Sequence, residues 1–288
     1  MNAPVPQRWT TSIAGVDFIC SGNLPSPVQV GEGSYGEFCE ESGGQRVQIA
    51  VETGPIADPG RVSFRGGRGW CHESTDDGTQ HIFVRGRGGA NSKRLSYYGR
   101  LSDGGRLKTD LSLAADAYRS AAPFRYPLDQ IALTLALEDG IVLHATSVII
   151  DGRAYVFVGE SGKGKSTIAR LLSPLSTVLS DERTVVRQRG SDLTAYGTPW
   201  PSSAGAARNV SGRVAGLFFL EHGSKDVVKP LRREEARDQL LRCASVPFFD
   251  DRSMTLAIEF VQGLARGCPC YRLEFLPTMR VVDAIRAL

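Results

Sequence analysis

The segment Gly159–Thr167 has the residue types and the spacing of a phosphate-binding loop. It runs Gly-Glu-Ser-Gly-Lys-Gly-Lys-Ser-Thr and matches the pattern G-x-x-x-x-G-K-[ST] in full. Glycines let successive backbone N–H groups point at phosphate oxygens, and a helix that begins there directs its positive dipole end at the same charge. We expect Lys165 to reach the β and γ phosphates of ATP and the Ser166 hydroxyl to coordinate Mg²⁺.

The context of this motif supports nucleotide binding. The strand-like run Ala154–Val158 precedes it and the helix-like run Ser166–Leu172 follows it, which is the arrangement such a loop requires. A glycine-rich turn without a ligand is the alternative interpretation. The residues expected to bind the nucleotide are Gly159, Ser161, Gly162, Lys163, Gly164, Lys165, Ser166 and Thr167.

Two adjacent carboxylates follow the next strand-like run. Val178 and Leu179 lead through Ser180 into Asp181 and Glu182, which places both carboxylates at the end of a strand, beside the phosphates. An enzyme that phosphorylates a hydroxyl needs one carboxylate for the metal and another group to accept a proton. A turn with two solvated acids is the alternative, but the loop just upstream favours a functional pair.

His144 interrupts a strongly apolar strand. A lone histidine on a strand is usually a satisfied core residue, but this strand is predicted to pair with the one that leads to Gly159. We therefore expect His144 near the same site. His72, His81 and His222 lack such a context and are interpreted as ordinary histidines.

The second half of the chain alternates predicted strands and helices, which is typical of an α/β domain. An Asp151-Gly152 hairpin turn between the first two strands predicts a mixed sheet. The predicted strands are Ile141–Ile150, Ala154–Val158, Thr177–Ser180, Arg183–Arg187, Gly212–Leu220, Val227–Leu231 and Tyr271–Phe275. The predicted helices are one between Pro127 and Gly140, then Ser166–Leu172, Arg233–Ala244, Met254–Leu264 and Met279–Leu288.

The first half has a different composition. Seventeen of the 32 glycines fall between Gly31 and Gly105, among short alternating runs that predict a twisted antiparallel sheet. The predicted strands are Arg46–Thr53, Arg61–Phe64, His81–Arg85 and Arg94–Tyr98. The shift in composition predicts two domains, a β-rich one over residues 1–122 and a catalytic one over residues 123–288.

Composition and charge exclude several classes of protein. The 288 residues carry 34 basic and 31 acidic side chains, and a net charge of +3 is too mild for a nucleic-acid-binding protein. No apolar run approaches the roughly 18–20 residues of a membrane span, and residues 1–10 are too polar for a signal peptide or an anchor. We therefore expect a cytoplasmic protein with no nucleic-acid or membrane partner.

The cysteines do not form a recognisable metal site. Cys268 and Cys270 make a C-x-C pair, but no second pair or histidine cluster completes a zinc set. A chain of this size needs no disulfides, so free thiols in a reducing compartment are expected. The six cysteines are Cys20, Cys39, Cys71, Cys243, Cys268 and Cys270.

The order of these motifs resembles the catalytic domain of bacterial HPr kinase/phosphorylase. The resemblance covers about residues 126–187 well and the rest of the second half loosely. It implies an ATP- and Mg²⁺-dependent serine kinase whose fold is a P-loop, HPr-kinase/PEP-carboxykinase-like mixed sheet with flanking helices. The shared features are Leu143-His144-Ala145, a hairpin, the loop Gly159–Thr167, and Leu179-Ser180-Asp181-Glu182-Arg183.

The resemblance also implies roles for individual residues. Asp181 matches the family's proton-relaying aspartate, with His144 beside it, and Glu182 stands where the family has a second, metal-binding aspartate. Lys165 and Ser166 carry over unchanged. The resemblance thus implies Asp181, His144 and Lys165 as catalytic residues, and Ser166, Glu182 and Asp181 as metal ligands.

Two features depart from the regulatory enzymes of that family. The glutamate–arginine–glycine–leucine–glycine signature is absent, and the first 120 residues do not resemble the regulatory amino-terminal domain. The chain is more similar to divergent HPr-kinase-like proteins found beside peptide-modification genes, including kinases of lasso-type precursor peptides. These share a leading β domain, a Pro-Leu-Asp helix and a Thr-Pro-Trp loop, and they imply a serine of a protein or precursor peptide as the acceptor.

Several alternatives stay open. The chain could instead be a small-molecule hydroxyl kinase or a non-catalytic ATP-binding regulatory protein. A homo-oligomer is compatible with the resemblance, because HPr-type kinases assemble into rings. Trp200 either packs in the interior or forms an exposed wall for the acceptor, and Arg208 and Arg213 are candidate cations for the transferring phosphoryl group.

Overall fold

A computed structural model describes most of the second half of the chain and parts of the first. The described residues are 7–22, 33–53, 64–65, 70–74, 80–85, 95–102, 108–113, 126, 128–202, 205–248 and 250–286. The chain forms two compact units, Met1–Ala136 and Leu137–Leu288. The boundary expected after residue 122 falls outside the described residues and stays a prediction.

The first unit contains a sheet of eight strands in the order β1-β2-β3-β8-β7-β6-β5-β4. The strands are β1 Gln7–Ile13, β2 Val16–Gly22, β3 Gln45–Thr53, β4 Phe64–Arg65, β5 Trp70–Ser74, β6 Gln80–Arg85, β7 Leu95–Ser102 and β8 Lys108–Leu113. A 3-10 helix spans Gly33–Phe38, and helix α1 spans Leu128–Ala136. Residues 61–63 of one predicted strand lie outside the described residues.

The first sheet, predicted to be antiparallel, is antiparallel in most of its pairings but not in all. Strand β3 pairs in parallel with both β2 and β8, while the other neighbours in the sheet are antiparallel. Parallel pairing needs a long connection, and the segment between β2 and β3, which includes the 3-10 helix, provides one. Hairpin signals in the sequence report only on strands that are adjacent in the chain, so they miss this arrangement.

Buried carboxylates organise the described core of the first unit. Asp17 accepts hydrogen bonds from the Ser42 backbone N–H (2.8 Å), the Ser42 hydroxyl (2.7 Å) and the Gly43 N–H (3.1 Å). Burial alone would raise the pKa of Asp17, but these donors outweigh it and lower the pKa. The Tyr35 hydroxyl donates to Asp129 at 2.5 Å, which joins the 3-10 helix to α1.

The second unit is a mixed α/β domain, as predicted. Its sheet has the order β10-β9-β12-β13-β14-β16-β15, with β11 paired to β9 and β10 paired also to β14. The strands are β9 Gly140–Ile150, β10 Arg153–Val158, β11 Thr177–Ser180, β12 Arg183–Arg189, β13 Asp192–Tyr196, β14 Ser211–His222, β15 Val227–Pro230 and β16 Cys270–Phe275. The helices are α2 Lys165–Leu172, α3 Arg233–Cys243, α4 Asp251–Gly267 and α5 Arg280–Arg286.

Strand β10 is buried on both faces, because helices cover the sheet from both sides. Its alternate residues Ala154, Val156 and Val158 belong to one apolar cluster with α3 and α4, whereas Phe157 belongs to another with α2 and α5. A strand buried on both faces has a continuous apolar sequence. That burial fixes the end of β10, and therefore the start of the glycine-rich segment that follows.

Strand β10 lies between an antiparallel and a parallel neighbour. It pairs antiparallel with β9, so that Val158 faces Ala145, and parallel with β14, so that Val158 faces Phe219. The end of β14 therefore lies next to the segment that follows β10. Among the described residues, no helix is both long enough and apolar enough to cross a membrane.

Candidate functional site

The glycine-rich loop (Gly159–Gly164) connects β10 to α2 through two left-handed residues. Gly162 has φ of 85° and Gly164 has φ of 96°, a region that residues with a Cβ rarely enter. A Cβ on Gly164 would also lie 2.9 Å from Cζ of Phe275. The backbone therefore needs glycine at both positions, and Gly164 leads directly into the first turn of α2.

Lys165 is buried at the start of α2 and folds back over this loop. Its Nζ donates to the carbonyl oxygens of Gly159 (2.9 Å) and Glu160 (3.0 Å), and only 6% of the residue is exposed. Burial lowers the pKa of the ammonium, and the charge of Glu182 partly opposes that effect. These two hydrogen bonds therefore hold the Lys165 ammonium at the loop.

His222, which the sequence analysis interpreted as an ordinary histidine, also reaches the glycine-rich loop. Its Nε2 lies 3.0 Å from the carbonyl oxygen of Gly162. His222 is the last residue of β14, which runs parallel to β10 and ends beside the loop. A prediction that β14 lies next to β10 would have found it.

Asp181 lies directly after β11 and is completely buried. Its Oδ1 accepts a hydrogen bond from the Ser202 backbone N–H at 2.9 Å, and its Oδ2 accepts one from the Ser202 hydroxyl at 2.7 Å. The Ser202 Oγ is in turn 3.3 Å from the Oγ of Ser166, the second residue of α2. A chain of three polar side chains thus connects the carboxylate to the loop.

The segment around Ser202 is attached to the strands that carry the acidic pair. Arg208 N–H donates to the Leu179 carbonyl at 2.9 Å, and the Thr198 hydroxyl donates to the Arg183 carbonyl at 2.6 Å. A Cβ on Gly197 would lie 1.9 Å from the Arg208 carbonyl oxygen, so only glycine fits there. These contacts bring Ser202, which is far from Asp181 in sequence, to the end of β11.

Glu182 lies between an imidazole and a guanidinium. Its Oε1 is 3.4 Å from His144 Nε2 and 3.3 Å from Arg183 Nη1, and about a fifth of the Glu182 side chain is exposed. His144 and Arg183 are register partners on β9 and β12, which explains why all three meet. The structure therefore brings His144 to the acidic pair, as the sequence predicts.

These contacts shift the pKa values of both groups. The hydrogen bond with His144, followed by the positive charge of Arg183, lowers the pKa of Glu182 to about 2 against the opposing effect of burial. Burial lowers the pKa of His144, and the hydrogen bond with Glu182 opposes this only in part. Near neutral pH the carboxylate is ionised and the imidazole is neutral.

The structure also shows where three further residues named in the sequence analysis lie. Trp200 is 4% exposed, so it packs in the interior and forms no exposed wall. Arg213, the third residue of β14, lies opposite Arg153 at the end of the sheet remote from the loop, and it pairs with Asp192 at 3.1 Å. Arg208 is exposed, and its N–H binds the Leu179 carbonyl.

The described cysteines are free thiols, and one of them, Cys243, interacts electrostatically with Glu160 and Lys165. Cys20, Cys39, Cys243, Cys268 and Cys270 are free thiols. Burial raises the pKa of Cys243 to about 11 and that of Cys268 to about 12, so these thiols are protonated at neutral pH. Within the described part of the chain, no group of three or more His, Cys, Asp or Glu residues could hold a metal ion.

The fold and this site define a mixed α/β domain whose sheet places a glycine-rich loop beside two carboxylates and a histidine. A family model described as SynChlorMet cassette protein ScmC matches residues 124–276, which is more than half of the chain. The chain belongs to this ScmC family. The match includes the loop, the acidic pair, His144 and Ser202.

The other comparisons are more distant. No curated protein matches the chain. Among solved structures, the HPr(Ser) kinase/phosphatase from Coxiella burnetii is similar over 51% of this chain and 94% of its own, at 14% identity and a TM-score of 0.31. A similarity at this level does not decide a function. The narrower resemblance to kinases of lasso-type precursor peptides stays a prediction.

Proposed function

We propose that the second unit is an ATP- and Mg²⁺-dependent kinase that transfers the γ-phosphate to a hydroxyl group, with a serine of a protein or peptide as the acceptor. The observation that supports it best is the connection from Ser166 through Ser202 to Asp181, at 3.3 and 2.7 Å. A buried carboxylate that accepts two hydrogen bonds from one serine also occurs in the first unit, at Asp17, but Asp181 is in addition connected to the helix that begins at the glycine-rich loop. A phosphoryl-transfer site requires a carboxylate at the cation.

The residues present fit a magnesium nucleotide. Hydroxyl and carboxylate oxygens are the ligands Mg²⁺ prefers, and Ser166 and Asp181 supply both kinds. The loop between Gly159 and Lys165 would hold the phosphates through its backbone N–H groups and through the ammonium of Lys165. When bound, the cation would neutralise the charge of the phosphates. Lys165 adds a fixed positive charge at the same place.

The two carboxylates are suited to different tasks. Both oxygens of Asp181 already accept hydrogen bonds from Ser202, and no part of Asp181 is exposed, so it is suited to the cation. Glu182 and His144 are each about one fifth exposed, so an acceptor can reach them. We therefore assign proton acceptance to His144 and Glu182. Asp181, which the family resemblance placed in that role, is assigned to binding of the cation.

The transfer step follows from this arrangement. The acceptor hydroxyl gives its proton to His144, whose Nε2 faces Glu182 and whose Nδ1 has no partner among the described residues. The acceptor oxygen forms a bond to the γ-phosphorus as the bond to the leaving ADP oxygen breaks. The ionised Glu182 stabilises the imidazolium that results. Lys165 stabilises the charge of the transferring group.

The experiment that tests this function is transfer of labelled γ-phosphate from Mg-ATP. The acceptors are a host-cell lysate and serine-bearing peptides encoded near the gene, and nucleotide binding is measured in parallel by calorimetry. Asp181→Asn and His144→Asn should both abolish labelling of a polypeptide, while His144→Asn keeps nucleotide affinity. Asp192→Asn is the matched control, because Asp192 is a half-exposed carboxylate at the other end of the sheet.

Each outcome favours one function. A labelled polypeptide that disappears with both site variants supports the proposal. Label in small molecules alone indicates a metabolite kinase. Nucleotide binding without any transfer indicates a regulatory ATP-binding protein. Full transfer by His144→Asn would overturn the assignment of the proton acceptor.

A further inference from the structure

We propose that Ser202 is a ligand of the divalent cation, so that the cation site consists of the hydroxyl oxygens of Ser166 and Ser202 and the carboxylate of Asp181. This assignment rests on the proposed function, because it requires a metal nucleotide at the glycine-rich loop. The family resemblance implied Glu182 as a member of this set. The structure instead brings Ser202 to it, from a segment that the loop motif does not include.

The spacing of the oxygens supports the assignment. Mg²⁺ takes six oxygens in octahedral geometry at about 2.0–2.1 Å, so neighbouring ligand oxygens lie about 3 Å apart. Ser202 Oγ lies 3.3 Å from Ser166 Oγ and 2.7 Å from Asp181 Oδ2. Both distances are close to an edge of such an octahedron.

The hydrogen bonds of Ser202 leave its oxygen available to a cation. Its proton goes to Asp181 Oδ2, so the lone pairs of Oγ, which face the Ser166 hydroxyl at 3.3 Å, are the part of the group that a metal ion can use. The second contact, from the Ser202 N–H to Asp181 Oδ1 at 2.9 Å, fixes the direction of the side chain. A carboxylate that accepts a ligand's proton orients that ligand and makes its oxygen a better donor.

The backbone around Ser202 holds the hydroxyl in place. After Ser202, Ala207 forms an isolated bridge with Ser180. Before Ser202, Gly197 N–H donates to the Val210 carbonyl at 3.0 Å, so backbone hydrogen bonds hold the segment on both sides. Trp200, two residues before it, is buried. Such support suits a metal ligand, which must stay within a few tenths of an ångström of its position.

Glu182 is occupied by other partners. Its Oε1 is shared by His144 and Arg183, at 3.4 and 3.3 Å. A carboxylate that faces a guanidinium is a poor ligand for a second cation. This leaves Asp181 and the two serines as the oxygen donors that we assign to the cation.

Binding of Mn²⁺ to the protein–ADP complex tests the inference without any measurement of activity. Electron paramagnetic resonance counts the bound Mn²⁺, and calorimetry measures ADP affinity with and without the metal. Ser202→Ala should weaken Mn²⁺ binding about tenfold or more. Ser202→Thr keeps the hydroxyl and should restore most of the affinity. Ser191→Ala, an exposed serine at the other end of the sheet, is the matched control and should bind like the wild type.

A change of ligand chemistry gives a second test. Ser202→Cys replaces a hard oxygen with a soft sulfur, so affinity for Mg²⁺ should fall while affinity for Cd²⁺ rises relative to the wild type. A direct ligand changes metal preference in this way, whereas a residue that acts only through packing does not. Thermal unfolding of each variant shows whether it is folded.

The outcomes separate this inference from the proposed function. If the wild type binds Mn²⁺ and ADP but Ser202→Ala and Ser202→Cys bind all three metals unchanged, the role of Ser202 is wrong and the kinase proposal stands. If the wild type binds no nucleotide at all, both proposals fail. If Glu182→Gln, but not Ser202→Ala, lowers Mn²⁺ affinity, Glu182 is the ligand and the assignment to Ser202 is overturned.

Discussion

His144 on β9 contacts Glu182, the residue immediately before β12, with Nε2 and Oε1 3.4 Å apart. Arg183 contacts the same carboxylate oxygen from the other side, at 3.3 Å. The pair is therefore electrostatically coupled. A change at Glu182 should be measurable at His144.

Glu182→Gln should lower the pKa of His144 further. Burial and the charges of Arg183 and Lys165 already lower this pKa below 6.5, and Glu182 is the group that opposes them. Without the carboxylate, protonation of the imidazole should require a lower pH. Titration of the imidazole protons by NMR in the metal-free protein measures this. An unchanged His144 pKa in the variant would show that the two side chains are not coupled.

Acid should destabilise the wild type through Glu182. The pKa of this carboxyl is lowered from 4.5 to about 2 in the folded chain, so its stabilising effect is complete above pH 4.5 and is lost as the pH falls towards 2. We expect a loss of up to about 2 kcal/mol, since solvent screens a side chain that is one fifth exposed. Urea unfolding at pH 3 and pH 6 measures it. Glu182→Gln should show a smaller difference between the two pH values, and an equal difference would contradict the assignment.

Gly197→Ala should destabilise the second unit strongly. A Cβ at this position would lie 1.9 Å from the Arg208 carbonyl oxygen and 2.7 Å from the Leu179 carbonyl oxygen, so the backbone must move. We expect a loss of about 2 kcal/mol or more in the free energy of unfolding, as for other overpacked sites. Denaturant unfolding measures the change.

Gly263→Ala is the matched control for that substitution. Gly263 lies within α4, and nothing is within 4 Å of the position its Cβ would take. Alanine in a helix interior is better than glycine by about 0.5–1 kcal/mol, so this variant should be slightly more stable than the wild type. Equal effects of the two substitutions would mean that the close approach of the Arg208 and Leu179 carbonyls is not what restricts position 197 to glycine.

Lys165→Ala should abolish nucleotide binding and leave the fold intact. The ammonium now satisfies the Gly159 and Glu160 carbonyls, and its removal takes away the one cation buried at the loop among the described residues. Calorimetry with ATP and Mg²⁺ should show at least a tenfold loss of affinity. Lys229→Ala, on the exposed strand β15, is the control and should bind as the wild type does. Unchanged binding by Lys165→Ala would contradict a phosphate-binding role for the loop.

Local patterns in the sequence predicted most elements of the second unit. Strand β11 was predicted with its observed bounds, Thr177–Ser180, and the Asp151-Gly152 turn correctly indicated a mixed sheet. These features depend on neighbours in the chain. Strand β13 was missed, because its run Asp192–Tyr196 is short and carries charged and polar residues.

The parts of the site that the sequence could not supply come from distant segments. Ser202 reaches Asp181 through contacts of Gly197 and Arg208 with the strand before it, and His222 reaches the loop through parallel pairing of β14 with β10. Neither follows from residue type or spacing, since a serine or a histidine in isolation has no preferred partner. The glycine loop and the acidic pair could be found because each is contiguous.

The parallel pairing of β10 with β14 also determines when the loop can form during synthesis. The hairpin of β9 and β10 can fold as soon as it leaves the ribosome, since its two strands are adjacent in sequence. Val158, the last residue before the loop, can pair with Phe219 only after β14 has been synthesised. His222, which contacts the loop, is synthesised three residues later still. A nascent chain that ends before β14 therefore carries the complete phosphate-binding motif without the strand that supports it. Nucleotide-dependent protection from proteolysis should begin only once β14 has emerged.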